Sequence, residues 1–99
     1  MVAQLRIYTI NPGMMSSWLT LFNEQIRPIH RKLAIPVEAA WVNAEQNEFI
    51  WVRSFDSAEV IPDREAEYFA SPERQALGDL PRDHIAKMEV RVIERAPLG

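Results

Sequence analysis

Three arginines and four large aromatics stand on segments that read as β-strands: Arg6 and Tyr8 on the first, Trp41 on the second, Trp51, Arg53 and Phe55 on the third, and Arg91 on the last. Side chains two apart share a face of a strand, so Arg6 projects with Tyr8, and Trp51 with Arg53 and Phe55. Guanidiniums beside a phenol bind a carboxylate or an enolate and stabilise negative charge as it develops, which suits isomerase or oxygenase chemistry on a small acidic or aromatic compound. The competing reading pairs the arginines with Glu89 and the C-terminus and makes them pins of an interface.

Two histidines are the other candidates. His84 precedes or opens the last strand, near the rim of any cavity there, and joins Tyr8 as a candidate catalytic residue; as a surface loop histidine it would do nothing. His30 ends a helical stripe in a basic cluster, Arg27, Arg31 and Lys32, and reads as solvated or as complementing the helix dipole. With no cysteine and no His-x-x-x-His or His-x-x-Glu-His spacing, neither a metal site nor a bound cofactor is expected. The glycines, at 13, 78 and 99, form no phosphate-binding loop.

The elements that must position these residues follow from periodicity. Residues 2–10, VAQLRIYTI, alternate and stop at the turn signal Asn11-Pro12-Gly13. Met15, Trp18, Phe22, Ile26, Ile29 and Leu33 then recur at spacings of three and four, the stripe of a helix that Pro28 should kink or end early. Pro36 opens a second strand to about Ala44, and AEQN turns into a third, NEFIWVRSFDS. Asp56 and Glu59 fit a capping box, Ser71-Pro72 starts a further short helix and Gly78 ends it. Residues 84–96, HIAKMEVRVIERA, hold the last strand. The order β-α-β-β-α-β predicts a ferredoxin-like α+β fold, a four-stranded antiparallel sheet with helices on one face, as a single domain over residues 1–99.

Sorted by parity alone, one face is aliphatic (Leu5, Ile7, Ala40, Val42, Ile50, Val52, Val90, Val92) and is the expected seat of the helices. The other gathers Arg6, Tyr8, Ile10, Trp41, Phe49, Trp51, Arg53, Phe55, Glu89, Arg91 and Ile93. Left open, this second face exposes more apolar surface than soluble monomers tolerate. A homodimer with its sheets stacked is therefore expected. The surplus of arginine on that face implies a wet cavity or an anionic ligand between the sheets.

Composition narrows the partners. The 99 residues carry a net charge of -3, which argues against nucleic acid or an anionic membrane surface. The absence of cysteine fits a reducing compartment, and no apolar run is long enough to cross a membrane, so a cytoplasmic protein is expected.

The segments LRIYTINPG, WVRSFDS, ASPERQAL and KMEVRVI together resemble the NIPSNAP family of the dimeric α+β barrel superfamily, nearly end to end. Arg6 and Tyr8 match that family's RxY in the first strand, and Trp51 and Phe55 its recurrent aromatic or histidine positions. Met14 stands where a basic residue is usual, and Arg74 replaces an aromatic. The resemblance implies a dimer whose sheets enclose a cavity, in a superfamily that includes small monooxygenases, lactone isomerases and haem-degrading enzymes. The Asn, Trp and His set of the haem-degrading and quinone-forming relatives is incomplete here, since strand one offers no inward Asn. The expected function is thus a small anionic or aromatic ligand held by Arg6, Tyr8, Trp41, Trp51, Arg53, Phe55 and Arg91. Monooxygenase- or isomerase-like chemistry would extend that reading, and a non-enzymatic dimeric interaction module is the alternative.

Overall fold

A computed structural model describes all 99 residues. Strands β1 (Val2–Ile10), β2 (Val37–Val42), β3 (Glu48–Phe55) and β4 (Ile85–Ile93) form one antiparallel sheet in the order β2-β3-β1-β4. This is the expected α+β arrangement, with β1 central between β3 and β4 and the helices packed on one face.

The first helical stretch runs unbroken from α1 (Met15–Leu21) through a π-helical segment (Phe22–Ile26) into α2 (Arg27–Lys32). Pro28 does not end it. The chain widens just ahead of the proline, so that Arg27 N–H bonds to the carbonyl of Phe22, five residues back, and Pro28 falls in the first turn of α2 where its missing N–H costs least. A short 3-10 turn (Ala58–Val60) leads into α3 (Ile61–Ala70), and the expected Asp56–Glu59 capping box is not formed. Ser71 does cap α4 (Pro72–Leu77), accepting from Arg74 N–H, and Gly78 ends it at φ 56°. A further turn, α5 (Leu80–Asp83), precedes β4.

Register decides which residues share a face. Arg6 lies opposite Trp51 and Val90, Tyr8 opposite Phe49 and Met88, and Gln4 opposite Arg53 and Val92. Trp41 lies opposite Ile50, and Arg91 opposite Leu5. Cross-strand partners point the same way, so two expectations are corrected. Ala40, Val42, Val90 and Val92 belong with the aromatic face, whereas Trp41, Glu89, Arg91 and Ile93 belong with the aliphatic one. Parity within a strand is legible from sequence, but a shift of one residue between strands inverts their relation.

The helices also cover the opposite face from the one expected. Trp18, Leu21, Phe22 and Ile26 pack on Tyr8, Ile10, Phe49 and Trp51, the main core. Val2, Ile35, Phe55 and Ile61 form a second, smaller cluster. The physical reason is area: each large aromatic hides roughly 150–250 Å², more than an alanine or valine of the other set, so covering the aromatic face removes more apolar surface from water. Leu5, Ile7, Ile50 and Val52 are left half-buried on the bare side, with Trp41 55% exposed among them.

Candidate functional site

Because β1 and β3 direct their polar residues beneath the helices, the arginines enter the core beside the aromatics. Arg53 is 2% exposed and Arg6 8%. A buried guanidinium is tolerated only with acceptors around it, and each has them. Arg53 donates from Nε to Gln4 Oε1 (2.8 Å), from Nη1 to His30 Nε2 (3.0 Å) and from Nη2 to Glu65 Oε2 (2.7 Å). Arg6 donates from Nε to the Tyr8 hydroxyl oxygen (2.6 Å), from Nη1 to Gln4 Oε1 (2.8 Å) and Glu65 Oε2 (3.3 Å), and from Nη2 to Met88 Sδ (3.2 Å). Gln4, in register with Arg53, thus bridges both guanidiniums through one oxygen.

His30 is part of this network. It is 1% exposed, and Nδ1 donates to the Ile26 carbonyl (2.9 Å), which leaves Nε2 as the acceptor for Arg53. Burial, aided by the charges of Arg53 and Arg6, pushes its pKa down to about 4 against the upward pull of the Ile26 carbonyl. It is neutral at pH 7 and holds Arg53 in place, which corrects the reading of it as solvated. Burial foremost, then Arg6, lowers the Arg53 pKa from its usual value, with Glu65 among the groups opposing the change. An arginine stays charged at neutral pH nonetheless.

Of this network, Arg6, Tyr8, Arg53 and Met88 line a cavity of about 290 Å³ between sheet and helices, together with Trp18, Tyr68, Phe69, Arg74, Arg82 and Lys87. Trp51 forms part of its wall. The Arg53 and Arg6 guanidiniums stand 5.4 and 5.9 Å from its ring centre, and the His30 ring meets it edge-on at 5.3 Å. Cations over indole faces are favourable and strengthen as water is removed. Burial raises the Tyr68 pKa, so that hydroxyl remains protonated. The two arginines face one carboxylate, Glu65, and the cavity lining adds Arg74, Arg82 and Lys87 with no acidic side chain.

Of the residues expected to act together, Arg6, Tyr8, Trp51 and Arg53 meet at the cavity. Phe55 lies behind it in the second cluster, with the Arg53 guanidinium 5.5 Å from its ring. Trp41 and Arg91 lie on the other face of the sheet, where Arg91 is exposed 3.8 Å from Glu89, so the expectation that they join the arginine cluster is corrected. His84 is buried outside the cavity lining. Its Nδ1 donates to the Leu80 carbonyl (2.8 Å), and its Nε2 accepts from the Ser17 hydroxyl (2.7 Å). Each histidine therefore has both ring nitrogens engaged, and neither presents a free lone pair as a base or metal ligand. Sequence reasoning missed Gln4, His30, Glu65 and Tyr68. Gln4 shares the parity of Arg6 and Tyr8, and His30 follows Ile26 by one helical turn, so both carried a signal. Glu65 is one acid among several on α3 and carried none.

Residues 3–98 match the NIPSNAP family. Nothing among curated proteins matches. The fold is similar to a NIPSNAP domain protein from Burkholderia xenovorans (TM-score 0.87, 16% identity, covering 97% of this chain and 95% of that one). It is similar also to a NIPSNAP protein of unknown function from Agrobacterium tumefaciens (TM-score 0.89, 19% identity, covering 100% and 91%). A putative antibiotic biosynthesis monooxygenase from Nitrosomonas europaea shares the fold more distantly (TM-score 0.71, 8% identity, covering 96% and 98%).

Proposed function

The chain belongs to the NIPSNAP family, and from that premise we propose that it binds a small anionic or aromatic molecule in the cavity between its sheet and helices. The observation that carries this reading is the Arg6–Arg53 pair, drawn into the core of an acidic protein and matched by a single carboxylate at the wall of an aromatic-lined cavity. Burying two like charges serves folding poorly, because apolar side chains of similar volume would stabilise the core as well or better. Perturbed, partly compensated charge in a concave aromatic site is instead what ligand recognition requires.

Self-association belongs to the opposite face. Leu5, Ile7, Ile50, Val52 and Trp41 present an apolar surface that a second copy would cover through a two-fold contact, and the ligand site then lies within each subunit rather than between sheets. A reducing cytoplasm suits the cysteine-free sequence.

A second reading adds monooxygenase- or isomerase-like chemistry, favoured by Tyr8 and Arg6 together, which would stabilise an enolate or phenolate. The occupied nitrogens of both histidines favour binding without catalysis. Crystals soaked with neutral, anionic and cationic aromatic fragments test the proposal. Density is expected beside Arg6, Tyr8 and Trp51, and fragments that settle everywhere except this cavity would sink it.

A further inference from the structure

The distribution of charge over the molecule singles out the mouth of the cavity. The chain has 14 acidic residues against 11 lysines and arginines, yet the cavity lining takes Arg6, Arg53, Arg74, Arg82 and Lys87 and no acidic side chain. Building on the reading of the cavity as a ligand site, we infer that its ligand is a phosphate monoester of an aromatic or conjugated compound. Arg74, Arg82 and Lys87 hold the phosphate at the mouth, and the ring body lies inside.

The five cations divide by depth. Arg6 and Arg53 are buried and share Glu65, which stands outside the lining and takes a bond from each. Gln4, His30 and Tyr8 accept from them as well, so the chain itself satisfies much of the inner pair. The outer three mark the mouth and are less well matched. Arg74 on α4 is half-buried over the rings of Tyr68 (5.9 Å) and Phe69 (5.3 Å) and donates from Nη1 to the Gly78 carbonyl (3.0 Å). Arg82 on α5 is exposed, and neither it nor Arg74 forms an ion pair. Lys87 on β4 meets Glu89 at 3.3 Å, an exposed contact that solvent screens. Two guanidiniums at one opening thus lack an anion in a chain with more acids than bases.

What such a mouth recognises follows from charge and from the number of acceptors. Like charges around one opening repel, and an anion among them relieves the repulsion. A carboxylate brings one charge and two oxygens, which a single guanidinium fork fills. A phosphate monoester brings nearly two charges near neutral pH and three acceptor oxygens, enough to meet two guanidiniums and an ammonium together. The body follows from the walls inside, where Trp18, Trp51, Tyr68 and Phe69 present aromatic surface and a volume near the lower end of ligand sites fits one or two rings.

Calorimetric titration with phenyl phosphate, phenyl sulfate and inorganic phosphate, slightly above neutral pH and at fixed ionic strength, tests this. The first two share a ring and a tetrahedral head but carry about two and one negative charges, and the third lacks the ring. Wild-type protein should bind phenyl phosphate about tenfold or more tightly than phenyl sulfate, the difference that a strengthened charged hydrogen bond makes. It should also bind phenyl phosphate about tenfold or more tightly than inorganic phosphate, which buries no ring. Arg82→Gln changes an exposed side chain without an ion-pair partner, so the fold is kept, and it should weaken phenyl phosphate by about tenfold and narrow its lead over phenyl sulfate. Arg74→Gln should act in the same direction, and Arg82→Gln decides the matter if that variant does not fold. Phenyl sulfate or inorganic phosphate binding as tightly as phenyl phosphate, or a lead unchanged in Arg82→Gln, overturns the inference while leaving a ligand cavity in place. Failure of all three compounds and of benzoate to bind the wild type overturns the cavity reading as well.

Discussion

Replacing His30 with glutamine should remove a specific sensitivity to acid. His30 is buried and neutral, and its folded pKa of about 4 lies below the ordinary value of 6.5. Above 6.5 both folded and unfolded chains hold the neutral ring, and the group contributes nothing to the pH dependence. As pH falls from 6.5 towards 4, the unfolded chain takes up a proton that the folded one refuses, so stability is lost; below about 4 both are protonated and the loss is complete. Each pKa unit corresponds to 1.36 kcal/mol, so the whole interval amounts to about 3 kcal/mol and the part already lost at pH 5 to about 2 kcal/mol. Between pH 7 and pH 5 most carboxylates stay ionised, which isolates the histidine. The assay is urea unfolding of wild type and His30→Gln at fixed protein concentration. With a slope of about 1 kcal/mol per molar for a chain this small, the wild-type midpoint should fall by about 2 M more than that of the variant between the two pH values. The variant starts from lower stability because Arg53 exchanges a fitted acceptor for a looser one, but its curve should be flatter. Equal losses in the two proteins would mean that His30 titrates as an exposed histidine does, and would refute the network around Arg53.

Three further outcomes follow from the geometry. Val52→Glu places a charge on the bare sheet face and should convert a dimer to a monomer with an unchanged circular dichroism spectrum, and a sedimentation coefficient equal to that of the wild type would contradict self-association there. Gly78→Ala should lower stability by about 1–3 kcal/mol in chemical denaturation although nothing crowds the added methyl, because φ 56° with ψ -131° is a glycine conformation. Ser17→Ala withdraws the donor from His84 Nε2 at the junction of α1 with β4 and should cost about 1 kcal/mol in the same assay, with ligand affinity unaltered.

Element order, the stripe of α1 and the position of β1 between β3 and β4 were legible because they rest on local periodicity and on a short list of allowed topologies. The alliance of Arg6, Tyr8, Trp51 and Arg53 was legible for the same reason, as parity within two adjacent strands. Trp41 lies on the other face because a register shift between Val37 and Ala39 inverts β2 against β3, and Arg91 because β4 pairs with β1 in a register, Arg91 opposite Leu5, that strand periodicity does not report. The covered face is not legible from parity, because the purely aliphatic set reads as the natural seat of the helices. Gln4, His30 and Glu65, each from a different element, satisfy the guanidiniums inside, and only tertiary structure brings them together. Pro28 predicts a kink or an early end from sequence because the π-helical turn that absorbs it leaves no mark in the apolar spacing.

The three tryptophans give the most direct test of the division of labour between the two faces, since Trp18 and Trp51 line the cavity and Trp41 lies on the bare side. A proton–nitrogen correlation spectrum resolves their indole signals at once, with assignment by single Trp→Phe variants. Titration with benzoate should shift Trp18 and Trp51 and leave Trp41 in place, whereas dilution through dimer dissociation should move Trp41 alone. Benzoate moving Trp41, with Trp18 and Trp51 unaffected, would contradict the assignment of ligand to one face and partner to the other.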